Sequence, residues 1–139
     1  MDQPVDGYPV PGTLDDALGF ELLEVTAERC RGRFAVEKRV QQPFGLVHAG
    51  AYMALSESLA SVATFAAVAD DGYIAVGQAN DNNFFRPATE GTVHAEGESI
   101  HRGRTSWVWD IRFTDDDGRL CATSRVTIAV RPAEELRPT

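Results

Sequence analysis

From Ala51 to Ala69 the chain reads AYMALSESLASVATFAAVA, a run with no Gly, no Pro and a single charge, Glu57. Good or neutral helix formers fill it, so a long helix is predicted, and one apolar nearly all round has to be buried. A carboxylate inside such a helix must be paired, protonated or kept for chemistry. Ser61 follows one turn later on the same face as Glu57. The loop leading in, Gln41 to Gly50 (QQPFGLVHAG), supplies Gly45, His48 and small residues at the helix start. Free backbone N–H groups and the positive dipole end favour a developing oxyanion there. The elements of an acyl-transfer site are therefore present.

The 139 residues are read as a single domain over 1–139, long enough for a proper core and short for an enzyme with its own cofactor domain. A net charge of -8 argues against a nucleic-acid or anionic-membrane surface, which requires clustered Lys and Arg. A few local arginines still suffice for one phosphorylated small molecule. Cys30 and Cys121 have no metal-ligand spacing and are read as reduced thiols. The N-terminus has no basic segment before an apolar one, so no signal peptide is expected. Glu57 with Ser56, Ser58, Ser61 and Thr64 would make membrane insertion of the helix costly. A soluble, cytoplasmic protein is the expectation.

Along the chain, residues 1–12 read as a flexible or loosely docked lead-in, and Thr13 with Asp15 and Asp16 is expected to cap a short turn or helix to about Leu18, which Gly19 ends. Phe20 to Val25 and Arg29 to Glu37 are predicted to form a hairpin, with Cys30, Phe34 and Val36 on one face. Asp70-Asp71-Gly72 stops the long helix. Four further strands are predicted: Tyr73 to Arg86, Thr92 to Arg102, Thr105 to Thr114 and Arg119 to Arg131. Period two is plain in Trp107, Trp109, Ile111 and Phe113, and in Leu120, Ala122, Val126, Ile128 and Val130. Asp115 to Gly118 turns between these two strands, and 133–139 form a polar tail expected to fray. One helix this apolar is covered only if a strongly curved antiparallel sheet wraps it and its remaining apolar surface goes to a partner. The fold class is α+β.

Each candidate residue also has a bland reading. Glu57 fits equally a structural carboxylate bonded to a backbone N–H or a serine; its neighbours favour chemistry. His48 alone reads as a satisfied loop histidine, and His94 and His101 lack metal-ligand partners, so no metal is assigned. Ser56, Ser58 and Ser61 lack the G-x-S-x-G setting of a serine nucleophile. Asn83-Phe84-Phe85-Arg86-Pro87-Ala88 and His101-Arg102-Gly103-Arg104-Thr105-Ser106 read either as solvated strand ends or as arginines and hydroxyls around bound phosphates.

The order Gln42, Gly45, His48-Ala49-Gly50, Glu57, Ser61, then Asn83 to Ala88 and Arg102 to Thr105, resembles the hotdog-fold acyl-CoA thioesterases. The likeness runs over about Phe20 to Arg131 and is nearest to the PaaI-like, 4-hydroxybenzoyl-CoA thioesterase type, with a glutamate on the central helix. That branch usually has His-Gly-Gly where this chain has His48-Ala49-Gly50; a backbone N–H survives the change. The resemblance implies a hotdog fold and a cofactor-free hydrolysis of acyl-CoA. Glu57 would be nucleophile or general base, and the Ala49 N–H would polarise the thioester oxygen. Gln42 would orient thioester or water, Ser61 would position water and His48 would brace the loop. Asn83, Arg86, Arg102, Arg104, Thr105 and Ser106 would face coenzyme A. An anhydride intermediate and direct water attack both stay open. Phe65, Phe84 and Phe85 permit a small aromatic or a medium-chain acyl group.

Two rivals are a non-catalytic acyl-CoA-binding hotdog domain, which has no use for a carboxylate at the carbonyl, and an enoyl-CoA hydratase, whose Asp and His pairing is not evident on the helix. A homodimer is the expected minimal unit, within a homotetramer built as a dimer of dimers. Helix geometry adds an argument of its own: Ala49 and Glu57 are eight residues apart, roughly 12 Å along one axis at about 1.5 Å per residue. One helix can hardly put both on the same thioester, whereas two antiparallel helices about a twofold axis make two equivalent sites.

Overall fold

The structure is a computed structural model and describes residues 2–136. The last three residues of the expected tail, 137–139, lie outside the described residues, while 133–136 form a 3-10 turn. A short helix α1 (Leu14–Leu18) leads into strands β1 (Glu21–Val25) and β2 (Arg29–Ala35). The long helix α2 (Ala49–Val68) follows, then β3 (Tyr73–Phe84), β4 (Thr92–Arg102), β5 (Ser106–Thr114) and β6 (Leu120–Pro132). All six strands form one antiparallel sheet in the order β1-β2-β4-β5-β6-β3. The sheet wraps α2, giving the α+β architecture that the resemblance implies.

The lead-in is docked: the Val5 N–H bonds to the Leu22 carbonyl at 2.6 Å, Asp2 pairs with Arg31 at 3.0 Å, and Val5 and Tyr8 pack on the core. Thr13 precedes α1 without capping it. Its hydroxyl donates back to the Val10 carbonyl at 2.6 Å, and Asp16 accepts from the Gly12 N–H instead. The Asp70-Asp71-Gly72 stop is present as a 3-10 turn ended by Gly72 in the left-handed conformation (φ 87°).

Helix α2 buries one face, Ala51, Tyr52, Leu55, Ser56, Leu59, Ala60, Ala63, Thr64 and Val68, at the i, i+3, i+4 spacing of a helix stripe. Leu55 and Leu59 lie fully buried among Phe34, Trp109, Phe113 and Ile128, each such side chain stabilising the fold by about 1.5–3 kcal/mol. Trp107, Trp109, Ile111 and Phe113 all point into this core. The indole N–H of Trp109 donates to the Thr64 hydroxyl at 2.9 Å, so the one polar atom of that ring is satisfied. The opposite face of α2 is not covered by its own chain: Met53 and Phe65 are exposed, and Glu57 and Ser61 half-buried. Ala49–Asp71 is long and apolar enough to cross a membrane, yet half of its most apolar window is buried inside the fold.

Strand β3 closes the sheet at one edge and carries a bulge. Gly77 pairs with Ile128 and Ala79 with Thr127, so Gln78 has no partner residue on β6. The extra residue resets the alternation. Gly77, Asn80 and Asn82 stand opposite Ile128, Val126 and Ser124, which are all core-facing, while Asp81 and Asn83 turn to the outer face.

Candidate active site

The site is built where α2 begins and where its middle meets β3. His48 is the N-cap residue: its Nδ1 accepts from the Gly50 N–H at 2.7 Å, and its carbonyl accepts from Ala51 N–H at 2.9 Å. The loop before it is tied down by the His48 N–H to the Val40 carbonyl at 2.8 Å and the Val47 N–H to the Ala88 carbonyl at 2.9 Å. Between these engaged amides, the N–H of Ala49 has no acceptor among the described residues. It is an unspent donor at the positive end of a 20-residue helix.

Gln42 and Gln41 divide the work of shaping the loop. The Gln42 Oε1 accepts from the Phe44 N–H and, at 3.5 Å, from the Leu46 N–H, which leaves its Nε2 as the free donor end of the amide. Gln41 points its Nε2 at the Gly45 carbonyl at 2.9 Å and so pins the turn from below.

Glu57 lies two turns into α2. Burial pushes its carboxyl above the ordinary carboxylate value, and a hydrogen bond from Asn80 Nδ2 at 3.4 Å partly opposes that. The carboxylate rests against the backbone of β3 at Gly77. Ser61, one turn further along, is half-buried with no hydrogen-bond partner for its hydroxyl among the described residues. Ser58 is turned the other way, to Asp15 of α1 at 2.7 Å. The sequence alone does not mark Asn80 as a site residue. A regular alternation continued from Gly77 would have turned Asn80 outward, so only the bulge reveals its direction, and the sequence carries no plain mark of a bulge at Gln78.

The residues proposed for coenzyme A separate into two groups. The Arg86 N–H bonds to the Cys121 carbonyl at the beginning of β6, whereas Thr105 accepts from the Val130 N–H near its end. Nine residues of strand separate those contacts, roughly 30 Å at about 3.3 Å per residue. One chain therefore does not bring Arg86 together with Arg102, Arg104, Thr105 and Ser106. Arg102 lies 3.7 Å from Glu28 in the β1–β2 turn; Arg104 and Thr105 line a small hollow with Tyr73 and Arg131. Asn83 faces the outer side of the sheet beside Arg112 and Arg125, away from Glu57. Cys30 and Cys121 are buried free thiols, and burial pushes Cys30 up to about 12.

Residues 44–122 match the thioesterase superfamily. The chain is 37% identical over 119 residues to the proofreading thioesterase EntH of Cronobacter turicensis, covering 86% of each protein. It is 37% identical over 113 residues to the 1,4-dihydroxy-2-naphthoyl-CoA hydrolase of Escherichia coli, covering 81% of this chain and 77% of that one. Among solved structures, a mutant of thioesterase PA1618 from Pseudomonas aeruginosa superposes with a TM-score of 0.83 at 38% identity over 87% of each chain.

Proposed function

The chain belongs to the thioesterase superfamily and is a thioester hydrolase, and we propose that its substrate is an acyl-coenzyme A with a small aromatic or medium-chain acyl group. The naphthoyl-CoA named for the Escherichia coli relative supports the aromatic option. One observation carries the reading: a carboxylate and an unspent amide donor, Glu57 and the Ala49 N–H, sit on the same helix with the base strengthened by burial. A carboxylate whose affinity for a proton is raised is a better general base near neutral pH.

In this mechanism the thioester oxygen accepts from the Ala49 N–H, which stabilises the charge that develops as the carbonyl carbon is attacked. Glu57 either removes a proton from the attacking water or attacks the carbon itself. Collapse of the intermediate breaks the C–S bond, and coenzyme A leaves as its thiol. Gln42 Nε2 orients the thioester or the water, Ser61 holds water near Glu57, and His48, locked by the Gly50 N–H, braces the loop. No metal or cofactor enters.

The site is shared between two subunits. Sheet edge β3 exposes Tyr73, Val76 and Phe84, and the bare face of α2 exposes Met53 and Phe65. Antiparallel pairing of two β3 edges about a twofold axis covers them and extends the sheet. It also sets the Phe84 end of one strand against the Tyr73 end of the other. Arg86 of one subunit then approaches Arg104, Thr105 and Ser106 of the other, which assembles the phosphate-binding group that one chain keeps roughly 30 Å apart. A dimer of such dimers completes the expected tetramer.

The test is thiol release from a panel of aryl and aliphatic acyl-CoAs. Turnover is expected without added metal, and Glu57→Gln is expected to lower it by at least about a hundredfold. Near-normal turnover in that variant would remove Glu57 from the reaction.

A further inference from the structure

We propose that Asn80 is the positioning residue of Glu57, its side-chain amide holding the carboxylate in a single orientation against β3. This rests on Glu57 as the reacting group. Three features of the structure converge on it. The bulge at Gln78 turns Asn80 toward α2, Gly77 leaves the space into which the Glu57 carboxylate fits, and a chain of hydrogen bonds fixes which way the Asn80 amide faces.

That chain runs in one direction. The Ser124 hydroxyl donates to Asn82 Oδ1, Asn82 Nδ2 donates to Asn80 Oδ1 at 2.8 Å, and Asn80 Nδ2 donates to Glu57 Oε2 at 3.4 Å. Asn80 Oδ1 takes its short bond from Asn82 and only a long contact, 3.5 Å, from the Ser56 hydroxyl, so the end of the Asn80 amide that engages the helix most closely is its NH₂. Two hydrogens there meet three acceptors: Glu57 Oε2, the Ser56 hydroxyl at 3.2 Å and the Met53 carbonyl at 3.2 Å. The competition is relieved because Ser56 donates its own hydrogen to the Met53 carbonyl at 2.9 Å. One Asn80 hydrogen thus remains for Glu57. Ser56 and Ser124 are buried and Asn80, Asn82 and Glu57 half-buried, so the relay is partly sheltered from water, which helps such bonds hold their geometry. A half-buried carboxylate on a helix has several rotamers open to it; the relay selects one.

The experiment measures kcat and KM for Asn80→Leu, which keeps the length and branching of the side chain and removes the donor. A fall in kcat of about tenfold or more, with KM within about twofold, is expected for loss of one hydrogen bond to an ionised group. In a Glu57→Gln background the same change is expected to alter the residual rate by less than about twofold, because there is no reacting carboxylate left to position. Equal losses in both backgrounds, or full kcat in a folded Asn80→Leu protein, would overturn the proposal. Asn82→Ala supplies a second route if Asn80→Leu does not fold: it leaves Asn80 in place without its holder, and a smaller loss confined to kcat is expected. Full kcat in that variant also overturns the proposal. High turnover in Glu57→Gln itself would instead sink the thioesterase mechanism on which the inference rests, so the two failures are separable.

Discussion

Gly77 and Glu57 claim the same space: a Cβ on Gly77 would stand 1.6 Å from Oε1 of Glu57. The helix carboxylate is seated on bare backbone in the middle of an edge strand, and any side chain at 77 evicts it. Gly77→Ala is expected to displace the carboxylate by an ångström or more and to lower kcat by about a hundredfold, the scale on which misplaced groups lose catalysis. Melting temperature serves as the control. Alanine suits a strand better than glycine, so activity should fall out of proportion to stability, and a fully active Gly77→Ala protein would mean that Glu57 reacts from some other rotamer.

The same seating makes Glu57 a cost to the fold. Burial raises its carboxyl above the ordinary value of 4.5, so the native state binds this proton more tightly than the unfolded state does. Stability linked to that proton is fully present below the ordinary value and is lost as pH rises through the raised one. Glu57→Gln carries no such linkage. Melting curves across this window are expected to show the variant gaining on the parent as pH rises, and a difference independent of pH would contradict the assignment.

Much of this was legible beforehand because some signals are unbroken. Trp107, Trp109, Ile111 and Phe113 alternate without interruption and all face the core, as their period requires. Glu57 stood out because a helix so apolar has only one charge to explain. The engagement of the Gly50 and Ala51 amides, which leaves that of Ala49 free, follows from a capping residue that sequence alone could read as a loop histidine. Asn80 stayed hidden because a strand face is inferred by counting in twos, and Gln78 upsets the count. The arginines were legible as residue types but not as places. Nothing local says that Arg86 and Arg104 lie toward opposite ends of the sheet, since that depends on pairing between β5, β6 and β3.

Subunit sharing has a direct test in mixtures of two inactive variants, Glu57→Gln and Ala49→Pro. The second removes the N–H at the first helical residue, where proline is tolerated. After subunit exchange, a mixed dimer has one site with both lesions and one with neither, so activity is expected to return. Mixtures proven to contain mixed dimers that remain inactive would rule out the shared site.

The two thiols are expected to be silent. Cys30 and Cys121 are almost wholly shielded, and burial raises both thiols, Cys30 to about 12, leaving very little thiolate at neutral pH. A thiol reagent added to the native protein should report no cysteine until denaturant unfolds it. Rapid labelling of the folded protein would show that the core opens around β2 or β6.

Strand β3 is in effect two short strands spliced out of step. Residues 73, 75 and 77 keep one beat and residues 80, 82 and 84 another, with Gln78 as the extra beat between them. Polarity patterns compared across such a splice lose phase halfway, and deletion of Gln78 alone would turn residues 79–84 inside out while leaving 73–77 as they are.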